Sequence, residues 1–451
     1  SQRTSDDCSA LIDRTPSFTS FNEGGNSCGT KGACTFVYGI KGALPLLHAG
    51  PGCSYCAYWG TMLHSGGAYP FLNTGFCSND VIFGGEAKLK KGIVQAKEIH
   101  NPEVIVIIPG CQASTIGDDI DGVIAGISEE TLSAYLLNAW TGGYVDDLYS
   151  GFVKVGLSFL KRFCNPLPTR SKLVNIIGFP AHINIYWKGD MKEIRSLLSL
   201  LGLEINCFFP GDVSLQQIRE IPAAALNLVV DEQLGLEMAE YLKEEFGTPY
   251  IKPRFGSLIG TDNTMEFLSA IIEQLDLPSD LHTQLSRAKH AALEMAGQHY
   301  HIWNEFLQYA FPTFALTAHA SMALGICRML VTELGMEPKL VHFSPSEPHA
   351  KTQLNQILEA DGRGFTPMVL ENGDNQDIIE CFLETDDWPK IFFGKGTAHL
   401  KYEAFVNEAA VYMAVSYPAM DRFIIYDRPI MGFNGVPAMV DDIVNRMGHM
   451  F

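Results

Sequence analysis

No apolar run in this 451-residue chain approaches the ~20 residues needed to cross a bilayer; candidates such as Val104-Ile105-Val106-Ile107-Ile108 stop at Pro109-Gly110. Basic residues are scarce. Thirty-two Lys and Arg against 51 Asp and Glu leave a formal charge of −19. That balance argues against nucleic acid as the main partner, because phosphates need a basic footprint, and against anionic membrane surfaces. It suits a soluble protein that meets a more basic partner surface. The opening segment, Ser1-Gln2-Arg3-Thr4-Ser5-Asp6-Asp7-Cys8, lacks the apolar core of a signal peptide. A cytoplasmic location with reduced thiols is therefore expected. Low-complexity segments and short-period repeats are also missing. What is present is globular: 47% hydrophobic and 18% charged residues, at a length that predicts two to four domains.

Eleven cysteines, an odd number in a large reduced chain, point away from a disulfide framework and toward metal ligation or buried thiols. Seven (Cys8, Cys28, Cys34, Cys53, Cys56, Cys77 and Cys111) lie in the first quarter. Cys164, Cys207, Cys327 and Cys381 stand among apolar neighbours and read as core thiols. Cys53-Ser54-Tyr55-Cys56 has no matching second pair, which weakens a zinc reading.

Hydrophobic patterning alternates strands with helices. Glu86–Ile99 carries Leu89, Ile93 and Ala96 at helical spacing ahead of the Val104–Ile108 strand. Strands are expected at Leu173–Gly178, Ile205–Phe209 and Asn227–Val230, with helices at Lys192–Leu201 and Leu234–Phe246. A third unit has strands at Phe314–Thr317, Lys339–Phe343, Lys390–Phe393 and Asp421–Ile425, and a helix at Ala320–Leu334. Residues 262–310 read as a helix-rich bridge. The pattern predicts an α/β fold of three doubly wound, Rossmann-like αβ domains with mainly parallel sheets. The boundaries fall at 1–168, 169–285 and 286–451, the last with a C-terminal helix.

Three cysteines follow glycine-rich turns. Cys28 ends Gly24-Gly25-Asn26-Ser27, Cys53 follows His48-Ala49-Gly50-Pro51-Gly52, and Cys111 follows Ile107-Ile108-Pro109-Gly110. Glycine lets backbone approach a bulky ligand and frees N–H groups to donate toward sulfur. A helix N-terminus stabilises thiolate, and iron–sulfur clusters take cysteine thiolates held in such loops. Three ligands would leave such a cluster short, with the remainder supplied by another subunit. Unpaired thiols packed beside glycine turns are the plainer reading of the same pattern.

The segments His48–Cys53, Val81-Ile82-Phe83-Gly84-Gly85 and Gly110-Cys111-Gln112-Ala113-Ser114-Thr115-Ile116-Gly117-Asp118-Asp119-Ile120 together resemble nitrogenase component 1, in particular its beta-type subunit. Cys53 lies 25 residues after Cys28, and Cys111 lies 58 after Cys53; both intervals resemble the beta-type P-cluster spacing. Tyr417-Pro418-Ala419-Met420-Asp421-Arg422 and Gly432-Phe433-Asn434-Gly435 are similar to its closing segment. The resemblance covers nearly the whole chain and is thin after residue 150.

This resemblance implies that Cys28, Cys53 and Cys111 ligate half of a P-type 8Fe–7S cluster shared with an alpha-like subunit in an α2β2 heterotetramer. Phe83 would dock a homodimeric, ATP-binding iron-protein reductase; a core Phe is the alternative. His48 would lie beside the cluster, with a hydrogen-bonded structural role as the alternative, and Asp118 and Asp119 would first be helix caps. Cys56 stands where the family has a tyrosine and is a further candidate ligand, as are Cys34 and Cys77. The segment 125–141 is shortened and lacks the family's cluster-ligating serine, with Asn138 nearest. Val229-Val230-Asp231-Glu232-Gln233-Leu234 has no Cys, and Tyr426-Asp427 has no matching His. The active-site iron–sulfur cofactor is therefore expected in the partner chain. Among relatives of this kind the departures resemble methylthio-alkane reductases, which cleave C–S bonds. A dinitrogen-reducing nitrogenase subunit and a non-catalytic cofactor-assembly scaffold are the alternatives.

Overall fold

The computed structural model describes residues 28–447 except 66, 68, 143–145, 298–312, 373–376, 379, 383–387, 396–410, 420, 421 and 423. Cys8, the Gly24–Ser27 loop and the end of the 262–310 bridge lie outside the described residues. The described chain is α/β, built on three parallel sheets.

The first sheet has the order β2-β1-β3-β4, from Leu72–Asn73, Ala43–His48, Val104–Pro109 and Tyr135–Asn138. β3 is buried at every position, as a strand covered on both faces requires. The second sheet has the order β6-β5-β7-β8, from Glu204–Phe209, Arg170–Ile177, Ala224–Val229 and Tyr250–Ile251. The third has the order β11-β10-β9-β12-β13, from Met368–Glu371, Glu337–Phe343, Thr313–Ala318, Ile391–Lys395 and Val411–Ser416. Every pairing within these sheets is parallel. In each sheet the strand order reverses once, at β1/β3, β5/β7 and β9/β12. Open α/β sheets bind ligands at such switch points, outside the carboxyl ends of the strands.

Helices cover both faces. One continuous apolar cluster joins the second and third sheets, running from Val174 through Leu316 to Ile443. Another joins the first and second, with Phe36, Phe152, Phe159 and Phe209 at its centre. The helices Gly29–Tyr38 and Leu148–Phe163 cross almost backbone to backbone. A Cβ on Gly32 would lie 1.8 Å from the Leu148 carbonyl oxygen, and one on Gly151 would lie 2.2 Å from that of Gly29.

Two expectations need correction. Of the strand expected over 421–425, the described residues Arg422, Ile424 and Ile425 are irregular, and Ile425 is 85% exposed. The flanking charges decide this, since Arg422 and Arg428 both reach Asp442 on the C-terminal helix Gly435–Met447. The fifth strand of that sheet is the wholly buried Val411–Ser416. The expected Ala320–Leu334 helix ends at Arg328 and widens into a π turn over Met329–Glu333. There the Glu333 carboxylate accepts from Thr261 N and Oγ1 at 2.9 and 2.8 Å. It thereby caps the helix Thr261–Gln274.

Candidate functional site

β1 and β3 pair in register, with His48 opposite Pro109, so the chain leaves the sheet at two adjacent points. Gly110 N donates to the His48 carbonyl at 3.0 Å. A Cβ on Gly110 would lie 2.6 Å from that of Ala49, so the crossing demands glycine. Past these strand ends the helices Pro51–Ser65 and Cys111–Ile116 begin. Pro51 opens the first of these, where its missing N–H is of no consequence. Cys53 is the third residue of one helix and Cys111 the first residue of the other. Cys28 immediately precedes a third helix, Gly29–Tyr38, whose start is tied to the same strand end. Thr30 Oγ1 donates to the Pro109 carbonyl at 3.0 Å, and Gly29 N to that of Asp146 at 2.8 Å.

Three helix N-termini therefore present Cys28, Cys53 and Cys111 at the β1/β3 switch point, each thiol partly exposed. Burial pushes Cys53 up to about 11, helped by Cys28, Cys111 and Cys56 in that order. Burial and then Cys28 also raise Cys111. The thiols thus feel one another, and desolvation with like-charge crowding outweighs the backbone hydrogen bond that favours each thiolate. A cation binding here must displace protons, and it would relieve the crowding. A Cβ on Gly52 would meet nothing within 4 Å, so this glycine is not required by packing within the chain. Among the described residues no three His, Cys, Asp or Glu side chains close around a single ion. Soft thiolates with no carboxylate in the trio suit iron–sulfur chemistry.

The other candidates separate clearly. Cys56 is exposed on the Cys53 helix and lies close enough to Cys53 and Lys31 to perturb both. Cys34 is fully buried, and burial followed by Cys28 and Cys53 raises its thiol strongly. Cys77 is exposed elsewhere, with its sulfur accepting from Lys88 Nζ at 3.3 Å. Phe83 is 84% exposed at the end of the helix Ser78–Phe83, with Ile82 at 71%, so it is not a core residue. Asn138 is buried at the end of β4. It donates to Asp121 Oδ1 at 3.1 Å and accepts from Trp140 N at 3.1 Å.

His48 is fully buried. Its Nδ1 meets Thr74 Oγ1 at 3.0 Å and its Nε2 meets Asp118 Oδ2 at 2.8 Å. Burial pushes its pKa down, and Asp118 offsets this only in part. The expectation that Asp118 caps a helix is corrected. Asp119 is the cap, accepting from Gly122 N at 2.8 Å, while Asp118 also accepts from Gly85 N at 3.0 Å.

Three features escaped the sequence reading. Lys31 is 6% exposed, with its Nζ 4.7 Å over the Tyr417 ring. Burial pushes its pKa down to about 8, and Cys28 and then Cys56 pull it back. His64 is bonded at both nitrogens, Nδ1 donating to the Ile183 carbonyl at 2.8 Å and Nε2 accepting from Ala419 N at 2.9 Å. Asp231, after β7, accepts from Ser257 Oγ at 2.6 Å and faces His319 Nε2 at 2.9 Å, all buried. Burial pushes the Asp231 carboxyl up, but His319 and the bonds from Ser257 and Leu234 outweigh it and leave it low. Nearby, a cavity of about 230 Å³ is lined by Glu232, Glu237, Ser321, Glu347 and His349 among others, none of them cysteine. Asp427 pairs with Lys192 at 2.6 Å, and Tyr426 is exposed.

Comparison with known proteins shows the family of the chain. The sequence model for "Nitrogenase component 1 type Oxidoreductase" matches residues 28–448. The chain belongs to that family. It is 23% identical to the nitrogenase iron-iron protein beta chain of Rhodobacter capsulatus, over 93% of this chain and 92% of that one. It is 25% identical to the nitrogenase iron-molybdenum cofactor biosynthesis protein NifE of a Nostoc species, over 79% and 72%. It is 28% identical to one polypeptide of the light-independent protochlorophyllide reductase of Pelodictyon phaeoclathratiforme, although that match spans only 52% and 43%. The structure titled "Nitrogenase Cp1 at pH 6.5" superposes with a TM-score of 0.81 at 18% identity, over 94% and 93%, which establishes the shared fold. No described helix is long and apolar enough to cross a membrane.

Proposed function

We propose that this chain is the beta-type subunit of a nitrogenase-like reductase. Cys28, Cys53 and Cys111 donate thiolates to a P-type 8Fe–7S cluster, with the remaining ligands from an alpha-like subunit of an α2β2 complex. The observation that carries this reading is the meeting of three thiols on three helix N-termini at one switch point, in a family of oxidoreductases. When bound, the cluster supplies electron storage between an ATP-dependent iron-protein reductase and an iron–sulfur cofactor in the partner chain. This chain's own residues hold the thiolates, direct helix N-termini at them, and present Phe83 for the reductase. No residue here is assigned to contact substrate, and the domains are taken as 1–168, 169–285 and 286–451.

The reaction assigned is reductive cleavage of methylthio-alkanes to methanethiol and hydrocarbon. It is favoured by the departures around the thiols: Cys56 in place of a tyrosine, and the short 125–141 segment without the serine. Similarity to the iron-iron nitrogenase beta chain supports dinitrogen reduction as the second reading, and similarity to NifE supports an assembly scaffold.

Anaerobic purification of the complex with its reductase tests all three. Methane, ethylene or ethane from a methylated thioether is expected; ammonia from dinitrogen, or no turnover, would select an alternative. Cys53→Ala should lose roughly half or more of the cluster iron. Full iron with an unchanged paramagnetic signal would remove Cys53 as a ligand.

A further inference from the structure

We infer that Lys31 is a positioning residue for the cluster, a fixed positive charge held behind the thiolates that sets how readily the cluster accepts an electron. It can act so only if the chain holds the cluster proposed above.

The geometry is specific. Lys31 lies three residues after Cys28, its backbone N–H donating to the Cys28 carbonyl at 3.0 Å, and its ammonium is close enough to Cys28 and Cys56 to be perturbed by both. The side chain is buried rather than turned to solvent, and its Nζ sits over the face of Tyr417. Tyr417 is 1% exposed and in turn feels Cys28, Cys34 and Cys56. The neighbouring His64 spends both ring nitrogens on backbone groups, an arrangement that only a neutral ring can make. It therefore adds no second positive charge.

A buried ammonium is attracted to any anion within reach. Three thiolates around an iron–sulfide core are such an anion. In this low-dielectric setting a positive charge favours the more reduced, more negative state. Nearby charge and hydrogen bonding are among the main determinants of cluster potential.

The test uses the complete complex, with iron per complex and cluster midpoint potential measured for Lys31→Arg, Lys31→Gln and Lys31→Met. Both neutral variants should hold iron and shift to more negative potential, at least tenfold in the reduced-to-oxidised ratio at fixed poise, about 59 mV for one electron. Lys31→Arg should stay near wild type. Wild-type potential in either neutral variant overturns the inference, as does an equal shift in Lys31→Arg. Iron lost from both neutral variants but retained in Lys31→Arg also supports a charge requirement. Iron lost from all three overturns it in favour of packing. A wild-type complex without iron would instead defeat the cluster assignment itself.

Discussion

His48 Nε2 and Asp118 Oδ2 meet at 2.8 Å, joining the end of β1 to the turn that follows Cys111. The same carboxylate receives Gly85 N at 3.0 Å, and Gly85 lies two residues beyond Phe83. A Cβ on Gly85 would lie 2.6 Å from Asp118 Oδ2 and 2.8 Å from His48 Cε1. One buried pair thus ties together the strand leading to Cys53, the turn behind Cys111 and the exposed aromatic. Asp118→Asn removes the charge that His48 and Gly85 share. It should destabilise the protein by about 1–3 kcal/mol, the usual loss when a buried partner is left poorly satisfied. Chemical denaturation should show a lower midpoint at unchanged slope; an unmoved midpoint would reduce the pair to packing.

Gly32 is set by a crossing of backbones. Its missing Cβ would lie 1.8 Å from the Leu148 carbonyl oxygen and 2.7 Å from the Leu148 carbonyl carbon, and backbone cannot step aside as a side chain can. Gly32→Ala should destabilise by about 1–3 kcal/mol or more through overpacking. Because Cys28 rides on the displaced helix, iron content of the complex should fall with stability. Wild-type stability in this variant would contradict the close crossing.

Much of this was legible in the sequence because strand periodicity and glycine turns are local. The Glu86–His100 helix and the Val104–Pro109 strand read directly from their apolar spacing. Gly110 read as a turn, and the structure adds Ala49 as the neighbour that demands it. Long-range partners were not legible. Asp118 looked like a cap because it follows Gly117, yet its contacts are with His48 and Gly85, 70 and 33 residues away. Lys31 carried no signal in the sequence, since nothing local announces that Tyr417 will cover it. Ile424–Ile425 looked like a strand because apolar residues adjoin, whereas the flanking arginines commit that stretch to the C-terminal helix.

His64 makes stability fall in acid. In the folded chain its ring is neutral, and burial pushes its pKa down to about 3, from an ordinary 6.5. Below about pH 6.5 the unfolded chain binds a proton that the folded chain refuses. Stability therefore declines as pH falls from there toward 3, by up to about 1.4 kcal/mol per unit for this group. His64→Gln can both donate and accept without titrating. Between pH 7 and pH 5 the wild type should lose about 2 kcal/mol more than this variant in urea unfolding, at the upper bound. Equal losses would show that His64 does not remain neutral.

Phe83 offers a test that leaves the thiol site untouched. It is 84% exposed, beside the exposed Ile82, so truncation opens no cavity and should leave both the melting temperature and the iron content at wild-type values. If this aromatic is a principal contact for the reductase, Phe83→Ala should weaken that association by about 2 kcal/mol, a tenfold to thirtyfold rise in the reductase concentration giving half-maximal turnover. Turnover at saturating reductase should then recover, because no group that holds iron has changed. A variant indistinguishable from wild type at limiting reductase would move the docking surface elsewhere. One slow even at saturation would instead tie Phe83 to a step after docking.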